Sequence, residues 1–127
     1  MRIKYPKKHK YNAKVVEFDG FRFASKKELK RYLELKMLEK AGKIKDLQLQ
    51  PVFLLQEGFK RKITHRAITY RADFEYVDEK GNRVVEDVKG VETPVYQIKK
   101  KLFLKKYREV VFRELRWKRG KWEIKEY

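Results

Sequence analysis

Residues 84–90 read VVEDVKG, and this run limits the folds open to the chain more than any other. The valines at 84, 85 and 88 favour a strand. Successive side chains of a strand point to opposite faces, so Asp87 and Lys89 share one face and Val84, Glu86 and Val88 the other. Whichever face is buried takes a carboxylate with it, and a buried charge needs a partner or a cation. A fold for this chain must supply that compensation. A β-bulge would exchange the facings of Glu86 and Asp87; Asp87 is favoured because it stands two residues before the lysine.

The neighbouring sequence suggests what the strand pairs with. ITYRADFEYVD reads as a β-run joined to RVVEDVKG through the Gly-containing turn DEKGN. If the two runs form an antiparallel hairpin, Asp73 comes near Asp87. Regular alternation puts Arg71 and Glu75 on the face of Asp73. Two carboxylates side by side are costly unless protons or a cation compensate. Hard oxygen ligands of this kind suit Mg2+, with Mn2+ able to substitute.

Further out, AKVVEF and FRFAS flank Asp19-Gly20, a strong two-residue hairpin signal. SKKELKRYLELKMLEKAG then turns to helical spacing, with Leu29, Tyr32, Leu33, Met37 and Ala41 apolar and Gly42 placed as the residue past the helix end. IKDLQLQPVFLLQE alternates up to Pro51, where the strand bends or ends. Residues 58–65 are basic and read as a loop or hairpin tip. Thr93-Pro94 is a helix start, and the helix that follows places Val95, Ile98 and Leu102 within one face. EVVFRELRWK and KWEIKEY close the chain as two strands around Arg119-Gly120, flanked by Trp117 and Trp122. The order ββ, α, β, ββ, α, ββ predicts an α+β or mixed α/β fold, with helices packed on one central sheet.

Charge narrows the partners. The 127 residues hold 35 Lys plus Arg against 18 Asp plus Glu, a net charge of +17, whose self-repulsion something polyanionic must offset. Nucleic acid is the first candidate, because cations that neutralise phosphates release counterions. The absence of cysteine excludes disulfides, thiolate catalysis and Cys-bound zinc. The two histidines, His9 and His65, are too far apart in sequence to suggest a zinc site. No apolar run reaches the roughly 18 residues of a spanning helix. The chain reads as intracellular, with no membrane partner. Residues 1–11 form a basic arm, with Lys7, Lys8 and Lys10 as phosphate contacts. Arg61, Lys62 and Arg66 extend the positive field, as do Lys99, Lys101, Lys105 and Lys106 on the second helix, which carries lysines without the acids of an ordinary solvated face. Backbone and shape, rather than base edges, are what such charges read.

Asp73, followed fourteen positions later by Asp87-Val88-Lys89, resembles the PD-(D/E)xK nuclease signature, with Ala72 where the signature has proline. SKKELKRYLELKMLEKAGKIKDLQLQP, ITYRADFEY and VEDVKG make the chain similar, from about Tyr11 to Tyr107, to a small phage and prophage family in that superfamily, described as a domain of unknown function and related to Holliday-junction resolvases. The resemblance implies a restriction-endonuclease-like core, a central mixed β-sheet flanked by α-helices, with residues 12–127 as a single nuclease domain. It implies a Mg2+-dependent DNA endonuclease in which Asp73 and Asp87 are ligands, Lys89 is the catalytic lysine and an acid on the first helix, here Glu28, joins them. Ser25 to Glu28 is equally a capping box, which gives Glu28 a structural role instead. The resemblance further implies a water- or phosphate-positioning role for Gln97 or Lys100, a homodimer, branched DNA as substrate and a cytoplasmic setting in a bacterial, archaeal or phage-infected cell. Nicking of ordinary duplex or single strands is the rival within the class. A non-catalytic basic binding module is the rival outside it.

Overall fold

The computed structural model describes residues 15–127. The basic arm, with Lys7, Lys8 and Lys10, lies outside the described residues. Two compact units are distinguished, one ending at Lys43 and the other running from Ile44 to Tyr127.

In the first unit, β1 (Val16–Phe18) pairs antiparallel with β2 (Phe21–Phe23). Asp19 and Gly20 between them have φ of 52° and 79°, the left-handed pair that a two-residue hairpin turn requires and that Asp-Gly adopts at low cost. Helix α1 (Lys26–Lys40) starts where Ser25 Oγ accepts the Glu28 amide at 3.1 Å. It stops at Gly42, whose φ of 75° lets Lys43 N donate to Leu38 O at 2.9 Å and Gly42 N to Glu39 O at 3.0 Å, a Schellman closure. The buried stripe is Glu28, Leu29, Tyr32 and Leu35. This corrects the sequence reading, which ran the stripe through Leu33 and Met37. Phe18, Phe21 and Phe23 gather around Tyr32, with ring centroids 6.5, 6.1 and 5.1 Å away, and so select its side of the helix. Met37, nine residues beyond Glu28, falls on the far side at α-helical pitch and is 73% exposed.

The second unit contains β3 (Lys45–Leu49), β4 (Val52–Gln56), β5 (Phe59–Arg61), β6 (Ile63–His65), β7 (Ile68–Arg71), β8 (Phe74–Val77), β9 (Arg83–Val88), α2 (Pro94–Lys106), β10 (Val111–Lys118) and β11 (Lys121–Glu126). Five strands form one sheet in the order β11-β10-β9-β8-β3. The β9–β10 pair is parallel and the other three are antiparallel, so the sheet is mixed. A parallel pair needs a crossover, and α2 is that crossover. Two further ribbons, β4–β7 and β5–β6, complete the unit. Among the described residues the architecture is therefore mixed α+β, with a central mixed sheet and two helices. Among the described residues no helix is long and apolar enough to cross a membrane.

On the second helix the face that carries the aliphatic residues is not the buried one. Val95, Ile98 and Leu102 do share a face, but they are 61%, 60% and 42% exposed. The buried face carries Tyr96, Lys100 and Phe103. It joins a core of Phe53, Tyr70, Ala72, Val85, Val110 and Phe112. A lysine can lie on the inner face here because Glu114 of β10 meets it. That partner is invisible to periodicity.

The expected ITYRADFEYVD strand is also divided. Tyr70 and Ala72 pack with Val85, whereas Phe74 and Tyr76 stand opposite Glu86 and Val84. Alternation therefore changes phase at Asp73, in the bend where the chain leaves the β4–β7 ribbon and joins the five-stranded sheet. Arg71, Asp73 and Glu75 do not simply share one face, contrary to the straight reading.

Candidate functional site

The site is assembled at the C-terminal end of β9. Its register with β10 sets Glu114 beside Asp87 and Phe112 beside Val85. Lys89 N still donates to Leu115 O at 2.8 Å, so the lysine one residue past the strand remains fixed to the sheet. Glu86 lies on the other face, opposite Phe74. There it accepts a hydrogen bond from the Tyr76 hydroxyl, to which Arg113 Nη1 donates at 3.1 Å. Of the two adjacent acids, Asp87 is the one that shares its face with Lys89.

Asp87 is almost wholly buried, and both its oxygens are engaged. Lys89 Nζ lies 3.1 Å from Oδ1, and the Tyr70 hydroxyl donates to Oδ2. The Lys89 ammonium also sits 3.8 Å from the centroid of the Tyr96 ring, a cation–π contact that fixes its position. Asp73 lies in the bend between β7 and β8: Oδ2 accepts the amide of Val88 at 2.7 Å, its own amide donates to Glu86 O at 3.1 Å, and its carbonyl accepts the Gln50 amide at 2.8 Å. These bonds hold the Asp73 carboxylate at the residue between Asp87 and Lys89. Both aspartates act on one phenol. Burial first, then the charge of Asp87 and its hydrogen bond, and after these the charges of Tyr96 and Asp73, hold Tyr70 far above its ordinary range. Tyr70 is a neutral donor.

Beside this group is a second ion pair that sequence reasoning missed. Lys100 Nζ donates to Glu114 Oε1 and Oε2 at 3.3 and 3.2 Å, and the two side chains are 11% and 1% exposed. The Tyr96 hydroxyl donates to Oε2 and that of Tyr127 to Oε1 at 3.0 Å. Burial alone would raise the pKa of Glu114, but hydrogen bonds from Tyr96, Tyr127 and Lys100 outweigh it and the net shift is downward. Burial likewise pulls Lys100 down, and its bonds to Tyr127 and Glu114 reverse the sign. Tyr96 is raised by burial, by its bond to Glu114 and by the charge of Asp87. Asp87–Lys89 and Glu114–Lys100, two ion pairs, therefore form one cluster with three phenols under α2, and Asp73 adds a third carboxylate at its edge. Among the described residues no buried side-chain polar atom lacks a partner. Glu114 had one visible signal: in VFRELRW it alternates in phase with Phe112, which marks it as an acid facing inward.

Glu28 is buried on α1, its amide held by Ser25 Oγ, so the backbone half of the capping box is present. Gln97 bonds to Glu92, and Lys100 is committed to Glu114. Lys101, Lys105 and Lys106 are exposed on α2, Lys99 is half-buried, and Arg61, Lys62 and Arg66 are exposed in and after the β5–β6 hairpin. Trp117 and Trp122 face one another across β10 and β11 in an edge-on pair, with centroids 5.0 Å apart.

Comparison with curated proteins and with solved structures found no match. A family described as "Protein of unknown function (DUF1064)" matches over residues 8–123, nearly the whole chain, and the chain belongs to that family.

Proposed function

We propose that the chain is a Mg2+-dependent DNA endonuclease with a restriction-endonuclease-like core, in which Asp73 and Asp87 hold the cation and Lys89 is the catalytic lysine. The observation that carries this reading is the convergence at the end of β9: Asp73 Oδ2 on the Val88 amide, with Lys89 Nζ 3.1 Å from Asp87 Oδ1. The donor chemistry fits. Mg2+ is ordinarily held by one or two carboxylates, keeping several waters and a substrate phosphate. Among the described residues no group of three or more His, Cys, Asp or Glu side chains could cage a metal, so the fit is to a sparsely liganded Mg2+ site. Mn2+ substitutes for the same reason. The role that the resemblance gives Glu28 rests on sequence alone.

Once bound, the cation supplies positive charge to a phosphodiester oxygen. The chain's own contribution is to orient. Tyr70 keeps Asp87 in one rotamer, and the Tyr96 ring holds the Lys89 ammonium against it. From there Lys89 positions the attacking water, or offsets the charge that develops on phosphorus. The net charge of +17 and the lysines of α2 supply the attraction to phosphate. Branched DNA is the proposed substrate and a homodimer the proposed assembly, both on the analogy with resolvases.

A specific observation favours a second reading. Asp87 is already neutralised by Lys89 and Tyr70, as a purely structural ion pair in a basic binding module would be. A cutting assay decides between them, using a labelled four-way junction, a linear duplex and a single strand with Mg2+, Mn2+ or EDTA. The expected result is cutting with either metal, none with EDTA, and paired incisions in the junction. Cutting of duplex or single strands in preference would point to a nicking enzyme. Binding without cutting would support the module.

A further inference from the structure

The β5–β6 hairpin is seven residues long, with pairs Phe59↔His65, Lys60↔Thr64 and Arg61↔Ile63. All of them are exposed except His65, which is half-buried. A two-stranded ribbon with so little burial is marginal on its own, yet this one is closed tightly at its root. At its root, a Cβ on Gly58 would lie 2.9 Å from His65 O and 3.2 Å from Ala67 N, so only glycine lets the two arms close so tightly. At its tip, Lys62 has φ of 63°, a left-handed conformation that costs a non-glycine residue about 1 kcal/mol or more and that concentrates at functional positions.

Its two faces differ. Directly paired residues share a face, so Phe59, His65, Arg61 and Ile63 lie together. Phe59 and His65 are stacked, with centroids 4.7 Å apart and planes at 15°, and Phe59 and Ile63 are 48% and 67% exposed. The opposite face carries Lys60 and Thr64. From Gly58 to Arg66 there are four cations and no acid.

We infer that this hairpin is a wedge that enters branched DNA at the branch point, its Phe59–His65 stack and Ile63 covering the base pair exposed there while Lys60, Lys62 and Arg66 lie along the flanking phosphates. This deepens the proposed function and rests on its nucleic-acid part. Charge complementarity points to a polyanion. A flat aromatic stack beside an arginine suits an unstacked base, since base–aromatic stacking is tolerant of sequence. Apolar side chains inserted at base steps are an established way to open a duplex. Two exposed apolar side chains are too few to anchor a membrane surface. The wedge gives the positive field a preference for branched over linear DNA, which phosphate contacts alone do not supply.

The test uses the full chain in EDTA, so that binding is read without cutting, on a four-way junction with 2-aminopurine beside the branch point and on a linear duplex of equal length. The parent protein is expected to raise the fluorescence at the branch and to bind the junction more tightly than the duplex. Phe59→Ala combined with Ile63→Ala should abolish the fluorescence rise and weaken junction binding about tenfold, one stacking contact, with duplex binding unchanged. Lys60→Ala combined with Lys62→Gly should instead weaken both substrates alike. Thermal melting of each variant checks that it remains folded. If the Phe59/Ile63 pair changes neither substrate, or both equally, the wedge is wrong and the endonuclease reading stands. If the parent protein binds neither DNA, or prefers phosphatidylserine vesicles, both readings fall.

Discussion

Asp87→Asn and Lys89→Met are each expected to lower DNA cutting at least a hundredfold, while junction affinity in EDTA stays equal or rises slightly. Asn keeps an oxygen to accept the Tyr70 hydroxyl, which would otherwise be buried without a partner at a cost of about 1–3 kcal/mol. The fold is therefore preserved while the charge is removed. The magnitude is what one positioned acid–base or charge-stabilising group contributes, about 10²–10³-fold. Affinity holds in Asp87→Asn because a carboxylate repels phosphate, and in Lys89→Met because that ammonium is only 18% exposed and already paired with Asp87, so neither loss subtracts from the exposed basic surface. Parental cutting by either variant would remove Asp87 and Lys89 from the chemistry. A large loss of affinity would mean that they bind DNA rather than act on it.

Lys100→Met is expected to have the largest effect on stability, about 3–5 kcal/mol, read as a lower midpoint in chemical denaturation. The substitution fills the same volume but leaves Glu114, 1% exposed, as a buried carboxylate without its cation, and breaking one side of a buried pair costs about that much. Tyr96 and Tyr127 still donate to Glu114, which places the outcome toward the lower end. Linkage gives the pair a pH signature. Glu114 is depressed in the folded state, so its contribution is fully present above the ordinary carboxyl value of 4.5 and is lost as pH falls through the folded value below it. Lys100 is raised, so its contribution is fully present below 10.5 and is lost as pH rises through the folded value above it. Stability of the parent should therefore fall on acidification below 4.5 more steeply than that of Glu114→Gln. Equal slopes, or a Lys100→Met protein as stable as the parent, would mean that the pair is not coupled to folding.

What could be read from the sequence was local. Asp19-Gly20, the Ser25 cap, the Gly42 stop, Thr93-Pro94 and the Asp78–Asn82 turn all act within a few residues, and each sits where its chemistry placed it. So did the shared face of Asp87 and Lys89, because a period of two needs no tertiary knowledge. What escaped depends on partners distant in sequence. Asp73 lies in a bend between two strands that no residue type announces, and only the pairing of Phe74 with Glu86 reveals the change of phase. On α2, Val95, Ile98 and Leu102 are the more apolar side chains, yet Lys100 is inside because Glu114, fourteen residues away, neutralises it. Met37 is outside because the hairpin phenylalanines choose the Tyr32 side of α1. Tyr70 and Tyr96 read as ordinary β and helix residues. Their hydroxyls matter only once the sheet brings Asp87 and Glu114 beneath them.

A hard divalent cation held jointly by Asp73 and Asp87 is what the proposed endonuclease requires. Electron paramagnetic resonance of Mn2+ titrated into the DNA-free protein measures this directly. A bound population is expected in the parent, competing with Mg2+ and lost in both Asp73→Asn and Asp87→Asn, with each variant still folded. Mn2+ binding that survives in either variant would contradict it.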